Sequence, residues 1–375
     1  MSSKLLASLK LAQLKHAAFL TGLPSAGTKA DIIAVLESNI PTRTPIATGS
    51  RIVSVDMGIR NLAYCVLDVP KAPLPHANPP KPSPLKVLEW KRIDLLHPSA
   101  IESQKPPTSS DTQVKPSTKK PAPISPSAFT PSHLSHTALS LSRTLLSHSP
   151  TTILIERQRF RSGGGPAIQE WTVRVNMLEA MLWACLATLR ETSSLERKGA
   201  GARAGPGQGE FPAVFEVLPA RVAGFWVGEP GVSLRLTAET FISGRVEPAA
   251  SASAPSGRKR VQKKDKVAVV RSWLDENKGK GKGNGNGNGN GNGNGNSHPD
   301  ISLAFSGEAA KVAKAFAAPN GRSSSSRGTI EEGSVEEESE ERMGKRDDLA
   351  DCLLQGVAWT RWEENRDLLA QLLRS

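Results

Sequence analysis

Acidic residues follow two apolar runs of the sequence, and further acids recur near its C-terminal end. Asp56 stands directly after the β-branched stretch at positions 52–55, and Glu156 closes the apolar run TTILIE. The C-terminal acids share one face of a predicted helix: Asp347, Asp348 and Asp351. Carboxylates without His or Cys are hard oxygen ligands, which select Mg²⁺ or Mn²⁺. A pair of such ions can activate water and stabilise the leaving oxygen of a phosphodiester, so the set predicts metal-dependent phosphodiester hydrolysis.

Each of these acids also has a simpler explanation. An Asp close before a Gly commonly caps a turn, which would account for Asp56 ahead of Gly58. Glu156 can be a solvated strand end, and acids in the first turn of a helix are favoured by the helix dipole. Three acids on one helix face nevertheless exceed what capping requires, which favours a joint site.

The hydrophobic pattern predicts the elements that must position these acids. Residues 51–69 predict a strand, a tight turn and a returning strand, and residues 85–96 predict a third strand beside them. A helix over 133–147 leads into the strand that ends at Glu156, whose continuous apolar run is typical of a buried parallel strand. The remaining predicted elements are a long helix with an apolar stripe from Trp171 to Leu189, a strand over 213–217, a short helix through Phe225, a helix over 258–274 and a terminal helix over 345–373.

Basic residues lie beside the acids. Arg157, Arg159 and Arg161 come directly after Glu156, which suits a phosphate-rich ligand. The run RKRVQKKDK opens a predicted helix, where it can contact phosphate, although such a run is also typical of a solvated face or a localisation signal. The net charge of +12 and the pI of about 9.7 favour a polyanionic partner. No apolar run reaches the roughly 20 residues that span a bilayer, so we expect nucleic acid and no membrane.

Segments of biased composition interrupt the predicted core. They include a Gly-Asn repeat at Gly283–Asn296 and a Glu-rich patch over 331–341. Such segments bury too little apolar surface to fold. We therefore expect one domain over 50–375 with disordered insertions at about 98–132, 193–210, 246–257 and 278–343. Three cysteines, Cys65, Cys185 and Cys352, lie in apolar runs without metal-ligand spacing, which indicates buried free thiols.

Residues 1–40 predict a small helical module in front of this domain. Gly22 and Gly27 break one helix from the next, and Thr28 can cap the second helix. With its leucines and lysines the stretch resembles the SAP motif, a small DNA-binding helical hairpin. It is also basic and free of acids before Asp31, as mitochondrial presequences are. Both interpretations remain open from the sequence.

Three blocks of the sequence resemble a known family when they are taken together and in order. SVDMGIRNLAYCVLDV, LIERQRFRSGG and KRDDLADCLLQGVAW are similar to the fungal mitochondrial cruciform-cutting endonucleases, relatives of the bacterial RuvC resolvase. The resemblance implies a ribonuclease H-like α/β fold with a mixed five-stranded sheet flanked by helices. It also implies a homodimer in the mitochondrial matrix that nicks two opposed strands of four-way junction DNA. We expect Mg²⁺ (or Mn²⁺), two ions per site, and no small-molecule cofactor.

The resemblance also assigns roles to individual residues. Asp56 and Glu156 match the strand acids of the family, and Asp351 together with either Asp347 or Asp348 matches the helix pair. Lys264 is the candidate for a lysine near the scissile phosphate. The expected DNA contacts are Lys29, Arg60, Arg157, Arg159, Arg161, Lys263 and Lys264. Two other functions stay open: a ribonuclease H acting on RNA:DNA hybrids, and a non-catalytic junction-binding or DNA-packaging protein.

Overall fold

A mixed six-stranded sheet forms the centre of the molecule. The computed structural model describes residues 2–40, 49–70, 83–96, 126–158, 169–199, 210–227, 234–237, 241, 261–279, 301–318 and 332–374. The strands are β1 Arg51–Asp56, β2 Leu62–Asp68, β3 Leu85–Ile93, β4 Thr152–Glu156, β5 Ala213–Val217 and β6 Leu303–Phe305. Across the sheet they follow the order β5-β4-β1-β2-β3-β6.

The pairing of the strands brings two predicted acids to one edge of the sheet. β1, β2 and β3 form an antiparallel meander, which confirms the predicted hairpin and third strand. β4 lies parallel to β1, with Val55 opposite Ile155, so the carboxyl ends of both strands meet. β5 continues the sheet parallel to β4, and β6 pairs in parallel with β3.

Helices precede the sheet and cover both of its faces. They are α1 Ser2–Ser8, α2 Leu11–Leu20, α3 Lys29–Asn39, α4 Pro131–Ser147, α5 Glu170–Gly199, α6 Pro219–Val227, α7 Lys263–Gly279, α8 Gly307–Ala317 and α9 Glu332–Arg374, with a 3-10 turn at Pro126–Phe129 before α4. None of the described helices is long and apolar enough to cross a membrane.

Side chains that alternate along the strands divide the core into two halves. Val53 and Val55 of β1 pack against α4 and α5 on one face of the sheet. Ile52, which points to the opposite face, joins a larger cluster with α6, α7, α8 and α9. The predicted stripe of α5 is buried at Leu178 and Leu182, but Trp171 at its start is 42% exposed and does not belong to the core.

The prediction of five strands was wrong by one strand. β6 and α8 fall inside the segment 278–343, which we expected to be a disordered insertion, and Phe316 of α8 is buried. The α9 helix also begins within that segment, at Glu332. Two smaller corrections concern other expected insertions. The turn Pro126–Phe129 and the start of α4 at Pro131 fall inside the segment 98–132, and α5 continues to Gly199 inside the segment 193–210. Residues 246–257 and the Gly-Asn repeat lie outside the described residues.

The N-terminal helices share the core of the sheet domain. The predicted cap is confirmed, because Thr28 Oγ1 accepts a hydrogen bond from the Asp31 backbone N–H at 3.3 Å. Sequence reasoning missed α1. Leu14 and Ile32 belong to the same hydrophobic cluster as Trp362 of α9. Gly22 (φ +66°) lies so close to Trp362 that a Cβ there would come within 2.2 Å of the ring, so the helices do not form a separate body in front.

Candidate active site

The two strand acids lie side by side at the edge where β1 and β4 end. Asp56 is 9% exposed and Glu156 is half-buried. Burial raises the pKa of Asp56 well above its usual range, and the neighbouring charge and hydrogen bond of Glu156 raise it further. Asp56 therefore holds a proton more readily than an exposed aspartate does, as expected for a buried carboxyl beside a second acid.

The acids of α9 face the same place. Burial raises the pKa of Asp351 to about 7, and the charge of Lys266 opposes that rise. Burial likewise raises the pKa of Asp348 to about 6, against the charge of Arg92. The charge of Asp351 also contributes to the raised pKa of Asp56, which places the strand acids and the helix acids in one electrostatic cluster.

Gln355, one turn after Asp351, holds α9 against the strands. Its Nε2 donates to Ser54 Oγ at 3.1 Å and to the Val55 carbonyl at 3.2 Å, directly before Asp56. Gly356 allows the close approach, because a Cβ there would lie 2.6 Å from Leu67 Cδ1. The register between α9 and β1 is thereby fixed within one turn of the acids.

The lysine that reaches the acids is Lys266. Its Nζ lies 2.5 Å from Asp351 Oδ2 and 2.9 Å from Asp347 Oδ1. Burial lowers the pKa of Lys266, but the charges of Asp351 and Asp347 outweigh that effect and raise it. Lys263 contacts Asp347 Oδ2 at 3.2 Å from a more exposed position. Lys264, the lysine chosen from the sequence, is exposed, and none of the ion pairs of the described residues joins it to these acids.

The predicted DNA-contacting residues are placed in different surroundings. Arg60 and Arg157 are exposed near the acidic edge, where they pair with Asp94 at 3.6 Å and with Glu216 at 3.3 Å. Lys29 is only half-exposed and donates to the Ala7 carbonyl at 2.6 Å, which links α3 to α1. Two more, Arg159 and Arg161, lie outside the described residues.

Arg92 of β3 belongs to the site but was missed from the sequence. Its Nη1 lies 3.8 Å from Asp348 Oδ2. In the sequence it stands in LKVLEWKRIDLL, where only its place in a strand was predicted. The signal that could have found it is the pairing of β2 with β3, which sets Arg92 opposite Ala63, the partner of Asp56.

The residues of this edge fit a divalent cation by their chemistry. Asp56, Glu156, Asp348 and Asp351 offer only oxygen ligands, and burial raises the pKa of Asp56, Asp348 and Asp351. Asp348 Oδ2 is buried without a hydrogen-bond partner. Within the described residues, no three acidic, His or Cys side chains already converge as a ligand set. Lys266 instead bridges Asp347 and Asp351.

The mixed sheet and the candidate carboxylate site at its edge are those of a ribonuclease H-like nuclease. The model of one protein family, "Mitochondrial resolvase Ydc2 / RNA splicing MRS1", matches residues 52–369. The chain belongs to this family.

Two relatives extend the comparison. The mitochondrial cruciform cutting endonuclease 1 of Schizosaccharomyces pombe is 28% identical over 222 residues, which cover 59% of this chain and 68% of that protein. The crystal structure of the yeast mitochondrial Holliday junction resolvase Ydc2 aligns over 97% of this chain and 98% of its own, with 21% identity and a TM-score of 0.50. At that identity the structural match supports the fold alone.

Proposed function

We propose that this protein is a divalent-metal-dependent endonuclease that resolves four-way DNA junctions by paired symmetric nicks in the mitochondrial matrix. The observation that carries the proposal is the convergence of Asp56 and Glu156 with the acids of α9 at one edge of a ribonuclease H-like sheet. Membership of the family and the mitochondrial names of its members support the substrate and the compartment.

Asp56, Glu156, Asp348 and Asp351 are the metal ligands in this proposal, with Asp347 as the alternative to Asp348. Mg²⁺ is the favoured ion and Mn²⁺ would serve, with two ions per site. When bound, such ions supply an activated water and charge stabilisation for the leaving oxygen. The chain itself orients the ligands, since Gln355 holds the acids of α9 against β1. Lys266 pairs with Asp347 and Asp351 and balances part of their charge.

Junction DNA is expected to lie across the edge where these acids meet. Arg60, Arg157 and Lys263 are exposed there and can contact phosphates. Arg159, Arg161 and Lys264 remain proposed contacts from the sequence. We also assign contacts with the DNA phosphate backbone to the SAP-like N-terminal helices. Lys29 contributes by holding α3 to α1 through its hydrogen bond to the Ala7 carbonyl. A homodimer would place two such edges on opposed strands, as paired nicking requires.

One feature argues against each of the two other functions. A non-catalytic junction-binding or DNA-packaging protein would gain nothing from buried carboxylates, which repel phosphate and raise each other's pKa. A ribonuclease H on RNA:DNA hybrids could use the same acids. The similarity to a cruciform cutting endonuclease favours the junction over the hybrid.

A comparison of substrates tests the proposal. The protein is incubated with Mg²⁺ and a synthetic four-way junction, a linear duplex or an RNA:DNA hybrid of matched sequence. We expect cleavage of the junction and little cleavage of the other two. Preferential cleavage of the hybrid would establish the ribonuclease H alternative, and binding without any cleavage would establish the non-catalytic one.

A further inference from the structure

Arg92 occupies a fixed position in the row of residues that contains Asp56. Asp56 is the cross-strand partner of Ala63, and Ala63 is the partner of Arg92. Cross-strand partners share a face of the sheet, so the three side chains form one line with the small Ala63 in the middle. With strands about 4.8 Å apart, the Cα atoms of Arg92 and Asp56 are separated by roughly 10 Å.

Trp90 ties this part of β3 to α9. Its Nε1 donates to the Leu349 carbonyl at 2.8 Å, and Leu349 directly follows Asp348. The indole is 1% exposed and packs on Phe316 with ring centroids 5.1 Å apart. Since Arg92 is two residues from Trp90 on the same face of the strand, its distance from the acids of α9 is set by the core.

Among the described residues, the guanidinium of Arg92 has one acidic partner, Asp348, and no hydrogen bond joins the two. Its closest acid, Asp348 Oδ2, is 3.8 Å away, which is too far for a hydrogen bond. No hydrogen bond from Arg92 is found within the part of the chain that the structure describes, although its side chain is only 26% exposed. A guanidinium has five N–H donors in a planar fork, which matches the oxygens of a phosphate.

We propose that Arg92 is a phosphate-binding residue of the cleavage site. It balances Asp348 while the site holds no metal, and it contacts a backbone phosphate beside the scissile one when Asp348 becomes a metal ligand. The inference rests on the proposed function, because it takes the acidic edge to be the place where DNA is cut.

The charges of the site support these two roles of Arg92, as a partner of Asp348 and as a phosphate contact. Five carboxyl groups, those of Asp56, Glu156, Asp347, Asp348 and Asp351, lie at this edge together with Arg92, Lys263 and Lys266. A divalent ion held by Asp348 would supply the positive charge for that carboxylate, which would leave the Arg92 guanidinium available to an anion. Lys263 and Lys266 reach Asp347 from α7, whereas Arg92 reaches Asp348 from β3.

The test measures DNA binding with Mg²⁺ in the Asp56→Asn background, where no cleavage is expected. Arg92→Gln should weaken junction binding roughly tenfold and lower the slope of affinity against salt by about one counterion. Arg92→Lys should recover part of the affinity. The matched control is Lys86→Gln, a change at the exposed start of the same strand, about 20 Å away, which should leave the affinity unchanged.

Neutral methylphosphonates next to the mapped cleavage position identify the contact. A methylphosphonate at the contacted phosphate should weaken binding of the protein that has Arg92, and should have no further effect when Arg92→Gln is present. Independent effects of the two changes at every position would overturn the inference, as would an unchanged salt slope in Arg92→Gln. Melting temperatures show whether Arg92→Gln is folded, and in a destabilised variant the comparison is made with Arg92→Lys. Failure of the unsubstituted protein to cleave the junction would instead contradict the proposed function.

Discussion

Burial makes the charged form of the Asp351 carboxyl unfavourable in the metal-free protein. Its pKa is raised to about 7 from 3.8, chiefly by burial, so the native state binds its proton more tightly than the unfolded state does. The stability that this proton contributes is fully present below about pH 4 and is lost as the pH rises through 7. The metal-free protein should therefore become less stable over that range.

Thermal unfolding in EDTA measures this effect. Asp351→Asn removes the titrating group, so the variant should gain stability over the unsubstituted protein as the pH rises from 5 to 8, while the two differ least at pH 5. Mg²⁺ should raise the melting temperature of the unsubstituted protein at pH 8 and that of the variant less. A difference that does not change with pH would contradict the electrostatic description of the site.

Two neighbouring lysines of α7 allow a matched comparison. Lys266 is largely buried between Asp347 and Asp351, whereas Lys264 is exposed. Removing one partner of a buried ion pair leaves an unbalanced charge, so Lys266→Met should destabilise the metal-free protein by at least about 2 kcal/mol. Lys264→Met should change stability by less than about 0.5 kcal/mol. Chemical denaturation in EDTA gives both values, and equal effects would show that Lys266 does not hold the acids.

Among the elements, β6 and α8 are small but belong to the core. Phe305 and Phe316 pack on Trp90, which in turn is hydrogen-bonded to α9 beside the acids. Deleting residues 301–318 should therefore destabilise the protein and abolish cleavage. Deleting only the repeat Gly283–Asn296 should preserve both the stability of the protein and its cleavage activity. Shortening a connection changes the free energy of closing it by about 1 kcal/mol or less. Soluble, active protein without residues 301–318 would show that these elements are dispensable.

The N-terminal helices are attached to α9 by a buried amide. Asn365 is 0% exposed; its Nδ2 donates to the carbonyls of Leu20 at 2.7 Å and Leu234 at 2.9 Å, and its Oδ1 accepts from the Leu236 N–H at 2.9 Å. Because deletion of residues 1–40 would expose the core, a point substitution is the sharper test. Asn365→Ala should destabilise the protein by about 3 kcal/mol, and Gln371→Ala on the exposed side of α9 by less than about 0.5 kcal/mol. If Asn365→Ala and Gln371→Ala have equal denaturation midpoints, the N-terminal helices are not held by the Asn365 side chain.

At the scale of the whole molecule, the sequence predicted the parts whose signal is local. Asp56 and Glu156 end strongly apolar strands, and strand direction alone brings them to one edge. Three-residue β6 has too little pattern to be recognised beside the Gly-Asn repeat. The choice of Lys266 over Lys264 depends on how α7 is rotated against α9, and the role of Arg92 depends on register across β2. The contact of Gly22 with Trp362 joins the two ends of the chain, which no local pattern reports.

We propose that the protein cleaves two opposed strands of a four-way junction at the site formed by the acids of one sheet edge. The direct measurement labels each strand of a fixed junction in turn and maps the nicks that form with Mg²⁺, for the unsubstituted protein and for Asp56→Asn. We predict nicks at symmetric positions on two opposed strands, and for Asp56→Asn a loss of several orders of magnitude in rate, about 4 kcal/mol or more, with junction binding retained. Nicks confined to one strand or to adjacent strands, or cleavage by Asp56→Asn at an undiminished rate, would contradict the account.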